Sequence, residues 1–329
     1  MLQAYVYDGL RSPFGRQGGG LARIRPDDLL SQVMRAVMAR SKFAPDTFED
    51  VIVGCANQAG EDSRCVARHA SLLAGIPISV GGTVIQRNCG SGLGALVSAA
   101  HAVTAGEGDL FLTGGVESMS RAPFVMGKAE AAFQRDVKIF DPAVGSRFPN
   151  REIEKRFGND TMPQTADTLA RDHQLTREEV DGFALRSQQR YAAAKADGFF
   201  DGEITAVVAA GPKKGTQTSV AADELPRADT SLETLGALRA IHDGGVTTAG
   251  NASGINDGAV AVTVGSREAG ERAGSAPLVR ILSAASVGVE PRIMGIGPVP
   301  AIDKALQRAK LTLADMDVIE INEAFAAQA

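Results

Sequence analysis

The stretch Val84-Ile85-Gln86-Arg87-Asn88-Cys89-Gly90-Ser91-Gly92-Leu93-Gly94-Ala95 decides how the chain is read. A short apolar segment breaks into a cysteine and then into very small residues. From Leu93 to Ala105 the residues are almost all Ala, Val, Leu, Gly and Ser, which predicts a helix packed closely on several sides rather than one facing water. Cys89 then falls at or just before the N-terminus of that helix. Unpaired backbone N–H groups and the positive end of the helix dipole favour a thiolate there, making Cys89 a candidate nucleophile. The competing reading is a small buried hydrophobe, the usual fate of a free cysteine.

Upstream, Ala4 to Tyr7 reads as a strand and Arg11 to Gly20 as a glycine-rich loop. Pro26-Asp27-Asp28 opens a helix with Leu29, Leu30, Val33, Met34, Val37 and Met38 at helical spacing. Asp50-Val51-Ile52-Val53-Gly54 reads as a buried strand, and Asp109 to Gly115 as another beyond the cysteine helix. Strand and helix alternating in this way predict a parallel sheet covered by helices.

Between Ser120 and Val246 charge and loop signals increase. Thr176 and Glu179 have the spacing of a capping box, Leu175 and Val180 that of a hydrophobic staple, and Gly198 closes the helix predicted over Arg177 to Asp197. Strands are expected at Ile204 to Ala209 and Thr218 to Ala221, around a turn at 211–215. The region reads as an insertion covering the active site; the alternative is simply a second domain.

The last third starts in turn formers, Thr248 to Ala259, followed by a strand at Val260 to Val264. The opening pattern then returns: Val279 to Leu282 matches the first strand, Pro300 to Lys310 the first helix, and Asp317-Val318-Ile319-Glu320-Ile321 parallels Asp50 to Val53. A duplicated half-domain explains this, with two similar α/β cores about a pseudo-twofold axis. The second copy is short and stops at Asn322-Glu323-Ala324-Phe325-Ala326-Ala327-Gln328-Ala329, read as lying inside a helix, so the C-terminal half is expected to be incomplete.

The bulk composition agrees. A chain of 329 residues exceeds one ordinary core, and 44% apolar with 22% charged residues is globular. The net charge of −5 gives no support for a nucleic-acid or anionic-membrane binder. Cys55, Cys65 and Cys89 are odd in number and lack C-x-x-C spacing, which suggests neither disulfides nor a metal site and fits a reducing cytoplasm. No secretion signal is read at Met1 to Asp8, and no segment reaches the roughly eighteen apolar residues of a membrane span.

These residues resemble the thiolase family along the whole chain. Cys89-Gly90-Ser91-Gly92 is similar to its nucleophile motif, Gly114 to Ser120 to its second signature, and Gly250 to Gly258 to its third. Met294 to Pro300 and Asn322-Glu323-Ala324-Phe325 complete the set in family order. Gly54 to Asp62 and Arg121 to Lys128 look most like the 3-oxoadipyl-CoA thiolases, whose vocabulary is shared by acetyl-CoA acyltransferases of fatty-acid breakdown.

The resemblance implies the thiolase fold, with βαβαβαββ halves: an N-terminal domain over 1–119 plus 247–270, an inserted loop domain over 120–246, and a truncated C-terminal domain over 271–329. It implies exchange of an acyl group between a cysteine and coenzyme A, which is the substrate, with no tightly bound cofactor. Cys89 attacks the 3-keto carbon and its backbone N–H helps hold the oxyanion, while Asn322 holds a water against the enolate oxygen. For Asn322 alone a helix N-cap is the ordinary reading. Ser253 is similar to a serine that binds the pantetheine arm, while Phe325, with Ala324, resembles the wall of the acyl-pantetheine channel. Arg227 falls near the nucleotide end of coenzyme A and Met162 at the acyl pocket. Thr161 departs from the histidine common in the family.

The family's general-base histidine in Gly-His-Pro and its second cysteine in Cys-x-Gly fall beyond Ala329. None of His69, His101, His173 or His242 has that setting. A homodimer or homotetramer is implied.

Two rival functions remain. Gly90-Ser91-Gly92-Leu93-Gly94-Ala95 satisfies the G-x-G-x-x-A dinucleotide fingerprint of a nicotinamide oxidoreductase. Against it, Gln86 to Cys89 separates strand from glycines, and Glu107 and Asp109 precede the next strand rather than end it. The other is a non-catalytic acyl-CoA- or lipid-binding relative, or an inactive fragment.

Overall fold

A computed structural model describes residues 1–211 and 213–329. The first part of the chain forms β1 (Ala4–Arg11), β2 (Gly15–Arg16), α1 (Pro26–Arg40), β3 (Asp50–Gly54), α2 (Val66–Ala74), β4 (Thr83–Ile85), α3 (Ser91–Ala105) and β5 (Leu110–Ser118). There follow β6 (Val125–Met126), β7 (Ile139–Phe140), α4 (Arg151–Phe157), α5 (Met162–Asp172), α6 (Arg177–Ala196), β8 (Val207–Ala210), β9 (Gln217–Val220) and α7 (Leu232–Gly236). The last elements are β10 (Asn256–Gly265), α8 (Arg267–Ala273), β11 (Val279–Ile281) and α9 (Pro298–Ala309).

The main sheet has the order β11-β1-β10-β5-β3-β4, with β2 against β10. β3 is parallel to β4 and β5, as the strand–helix alternation predicts, but β10 is antiparallel to both β5 and β1, so the sheet is mixed. The cause is where the chain re-enters. Asp257 pairs with Ser118, so the excursion between β5 and β10 starts and finishes at the same end of the sheet, and β10 must run back along β5. One face is covered by α1, whose Leu29, Leu30, Val33, Met34 and Val37 are at most 1% exposed, and the other by α3.

α3 departs from its expected all-round packing. Ser91, Ala95, Ala99, Ala100 and Val103 are buried, but Leu93 is 69% exposed. Small residues serve to bring one face of the helix close to the sheet. In the middle region, α6 carries the Thr176–Glu179 capping box, and Leu175 packs in one cluster with Val180. β8 and β9 pair around the expected turn, of which Pro212 lies outside the described residues.

The returning pattern is realised in part. α9 forms as expected, but Val279–Ile281 joins the edge of the main sheet against β1 instead of opening a second one. Asp317 to Ile321 forms no strand: the chain bends at Asp317, and Val318 is 84% exposed. A strand is stabilised by its neighbours, and this segment has none among the described residues. Asn322 to Ala329 is not helical. Phe325 bridges to Ala252, and the chain then turns.

An ion pair ties the middle region to β1. Asp223, with its side chain 3% exposed, accepts from Arg11 at 2.7 and 3.0 Å, from the Phe14 N–H at 2.7 Å and from the Tyr191 hydroxyl at 2.9 Å. Burial pushes this carboxyl up, but the guanidinium and the other donors win and hold it below its ordinary value of 3.8. A depressed carboxyl stabilises the fold above its unfolded value and loses that stabilisation as pH falls through its folded one. Asp223→Asn is therefore expected to cost roughly 2–4 kcal/mol at neutral pH and to flatten the acid limb of the stability–pH curve, measured by urea unfolding between pH 7 and 2.

Candidate active site

Cys89 is exposed and sits between the end of β4 and Gly90, the N-cap of α3. The turn that presents it is held from within: Asn88 has a positive φ of 48°, and the buried Ser91 hydroxyl donates to the Asn88 carbonyl at 2.6 Å and accepts from the Arg87 N–H at 2.8 Å. It is also held from below. A Cβ on Gly54 would collide with the Gly92 nitrogen and the Ser91 carbonyl carbon, and one on Gly115 would meet the Gly92 Cα at 3.4 Å. The start of α3 thus rests on bare backbone at the C-terminal ends of the parallel strands, where open α/β sheets form their sites.

The adjacent loop, Cys55 to Asp62, is organised by acids. Glu117, in β5, accepts from the Ala56 and Asn57 N–H groups at 2.9 and 3.1 Å, and Asp62 from those of Gln58 and Gly60. Cys55, Asp62 and Glu117 each offer a ligand atom within 4.8 Å of one another, but the carboxylate oxygens are already committed to this loop. Burial, reinforced by the charges of Glu117 and Asp62, pushes the Cys55 thiol up to about 12. Burial raises Glu117 as well, against the two N–H donors that lower it. Two further contacts join this loop to the cysteine turn: the Gln86 side-chain amide donates to the Ala56 carbonyl at 3.4 Å and to the Asn88 side-chain oxygen at 3.3 Å.

A second group of expected residues meets around an open cleft of about 450 Å³. Ser253 and Arg227 both line it, with Tyr191, Leu225 and Glu323. The wall is made by backbone pairing across the chain: the Ser253 N–H donates to Ala324 and the Ala326 N–H to Asn251, each at 2.9 Å. Buried Asn251 is the hub, donating to Asp181 at 2.8 Å and to the Val246 carbonyl at 3.0 Å while accepting from Thr248 at 2.7 Å. Glu323 is hydrogen-bonded by Ser187 of α6.

Phe325 is half-buried beside Ala252, and Asn322 is exposed with no side-chain hydrogen bond among the described residues. Met162 is 40% exposed at the start of α5, and its neighbour Thr161 hydrogen-bonds His242 at 2.8 Å. Neither Cys89, Asn322 nor Met162 lines this cleft. His69, His101 and His173 are exposed, and no histidine is hydrogen-bonded to a cysteine among the described residues. Sequence reading missed Asn57, Arg147 and Asp223. Asn57 and Glu117 lie within the stretches Gly54 to Asp62 and Gly114 to Ser120, whereas nothing local to Arg147 or Asp223 separates them from ordinary loop charges.

Comparison with known proteins agrees with this architecture. The thiolase N-terminal domain family matches residues 4–268 and the thiolase C-terminal domain family residues 275–329, and the chain belongs to the thiolase family. Among curated relatives, a 3-oxoadipyl-CoA/3-oxo-5,6-dehydrosuberyl-CoA thiolase of Escherichia coli is 53% identical over 100% of this chain and 82% of its own length. A beta-ketoadipyl-CoA thiolase of Acinetobacter baylyi is 51% identical with the same coverage. Human mitochondrial 3-ketoacyl-CoA thiolase in complex with CoA superposes with a TM-score of 0.89 at 37% identity, covering 99% of this chain and 80% of that one. The acetyl-CoA acetyltransferase of Bacillus anthracis gives 0.91 at 35% identity over 100% of this chain and 82% of that one. The fold is the thiolase α/β fold. No helix among the described residues is long and apolar enough to cross a membrane.

Two outcomes test the site's construction. Brief treatment with iodoacetamide, read by peptide mass spectrometry, is expected to modify Cys89 and leave Cys55 untouched. Gly54→Ala is expected to cost roughly 1–3 kcal/mol by forcing the Ser91–Gly92 backbone off the sheet, and to change the alkylation rate of Cys89.

Proposed function

We propose that this thiolase is an acyl-CoA C-acyltransferase cleaving 3-oxoadipyl-CoA with coenzyme A, through an acyl-cysteine on Cys89. The observation that carries the reading is the presentation of Cys89: an exposed thiol before a helix, on a turn braced by Ser91 and by the glycines of β3 and β5. The names and identities of the Escherichia coli and Acinetobacter baylyi relatives support the substrate.

The Cys89 thiolate adds to the 3-keto carbon, and the tetrahedral alkoxide collapses with cleavage of the C2–C3 bond. The electron pair leaves as the acetyl-CoA enolate, which takes a proton to give acetyl-CoA. The thiolate of a second coenzyme A attacks the acyl-cysteine, expels Cys89 and releases the four-carbon dicarboxylic acyl-CoA. Thioester exchange is nearly balanced, so the same site runs the reverse condensation.

The cleft beside Ser253 holds coenzyme A, with Arg227 at its nucleotide end and Phe325 and Ala324 along the pantetheine arm. Asn322 holds water at the enolate oxygen, Met162 borders the acyl chain, and the region 120–246 covers the site. Coenzyme A is a substrate, no tightly bound cofactor takes part, and the assembly is a cytoplasmic homodimer or homotetramer.

Incubation with acetyl-CoA is expected to add one acetyl mass to Cys89, absent in Cys89→Ala, as read by intact and peptide mass spectrometry. If acetyl-CoA leaves no adduct on Cys89 and the full-length protein does not thiolyse 3-oxoadipyl-CoA, the reading is wrong.

A further inference from the structure

We propose that Arg147 recognises a carboxylate at the far end of the acyl chain, and so selects dicarboxylic over plain fatty acyl thioesters. The inference rests on the acyl-transfer reading above. Arg147 is half-buried and reaches from the loop before α4 to the loop after β3, donating to the Asn57 side-chain oxygen at 2.9 Å and to the Asn57 carbonyl at 2.5 Å. Both acceptors are neutral. No carboxylate lies within ion-pair distance among the described residues, and its other N–H groups have no protein acceptor there. The acid that senses it, Glu117, has both oxygens committed to the Ala56 and Asn57 N–H groups.

Two other arginines around this loop are neutralised. Arg121 pairs with Glu61, and Arg25 with Asp27 and Glu61. A guanidinium partly withdrawn from water, hydrogen-bonded only to neutral acceptors and in no direct ion pair among the described residues, is a local condition for binding an anion bidentately.

Its position relative to the thiol fits a short chain. Cys89 follows β4, Asn57 follows the neighbouring strand β3, and adjacent strands are about 5 Å apart. The hydrogen bonds from Asn88 through Gln86 to Ala56 close the gap between the two loops. In a six-carbon 3-oxo dicarboxylic chain the terminal carboxyl carbon stands three single bonds beyond the reacting carbonyl carbon, on the order of 4 Å when extended. A chain anchored at Cys89 reaches Arg147 by turning toward β3, the strand whose following loop Arg147 contacts. Arg87, two residues before Cys89, is a second candidate cation. It is exposed, and its Nε lies back along α3, 3.9 Å from the Cβ position of Gly94.

The test compares adipyl-CoA with hexanoyl-CoA, equal in length and different only in the terminal carboxylate, by titration calorimetry on the full-length protein carrying Cys89→Ala. Adding Arg147→Gln is expected to weaken adipyl-CoA at least about tenfold, the size of one charge-assisted contact, while hexanoyl-CoA shifts less than about threefold. Arg147→Lys is expected to recover part of the preference. Parallel weakening of both ligands would reduce Arg147 to a support for the Asn57 loop and overturn the proposal. So would an unchanged preference, or an equal loss in Arg87→Gln. If neither thioester nor coenzyme A binds the parent protein, the acyl-transfer reading itself has failed; if both thioesters bind the parent equally, only the role of Arg147 has.

Discussion

The site depends on a contact between two pieces of backbone with no side chain between them. Gly54 at the end of β3 lies directly under Ser91 and Gly92, and Gly115 in β5 touches the same turn. A helix ordinarily packs on a sheet through a layer of side chains; here its first turn descends onto the strands themselves. The cost is that no residue larger than glycine fits at position 54 without moving the Ser91–Gly92 backbone. The gain is rigidity at the point from which Cys89 projects, because the turn cannot sink further and Ser91 stops it from unwinding.

Around that contact the protein uses charge to position loops and backbone pairing to position the distant segment. Glu117 and Asp62 hold the loop after β3 by accepting four of its N–H groups, at the expense of burying the Glu117 carboxylate, whose charged form burial disfavours. Asp223 does the same for the middle region. Its pair with Arg11 fixes the start of the segment leading to Leu225 and Arg227, and Glu224 accepts from the Arg16 and Gly20 N–H groups at the glycine-rich loop. The end of the chain is attached differently. Ser253–Ala324 and Ala326–Asn251 hydrogen bonds join main chain to main chain, and side-chain identity enters mainly through the buried amide of Asn251.

The sequence by itself determined the first half of the sheet and its helices, because these rest on local periodicity: the stripe of α1, the apolar runs of β3 and β5, the Thr176–Glu179 cap of α6. It also singled out Cys89, whose setting between strand and small-residue helix is written in a dozen consecutive residues. Only the tertiary structure decided the rest. That β10 runs against its neighbours follows from where a long excursion returns, and Asp317 to Ile321 makes no ladder because no strand among the described residues stands beside it, though its residues match those of β3. The burial of one face of α3 sets a helix against the sheet, the Asn57–Arg147 contact joins residues 90 positions apart, and the Arg11–Asp223 pair joins residues 212 apart. A local pattern encodes which way a side chain faces along its own element. It carries no record of what will stand opposite, and the chemistry of this site is made from what stands opposite.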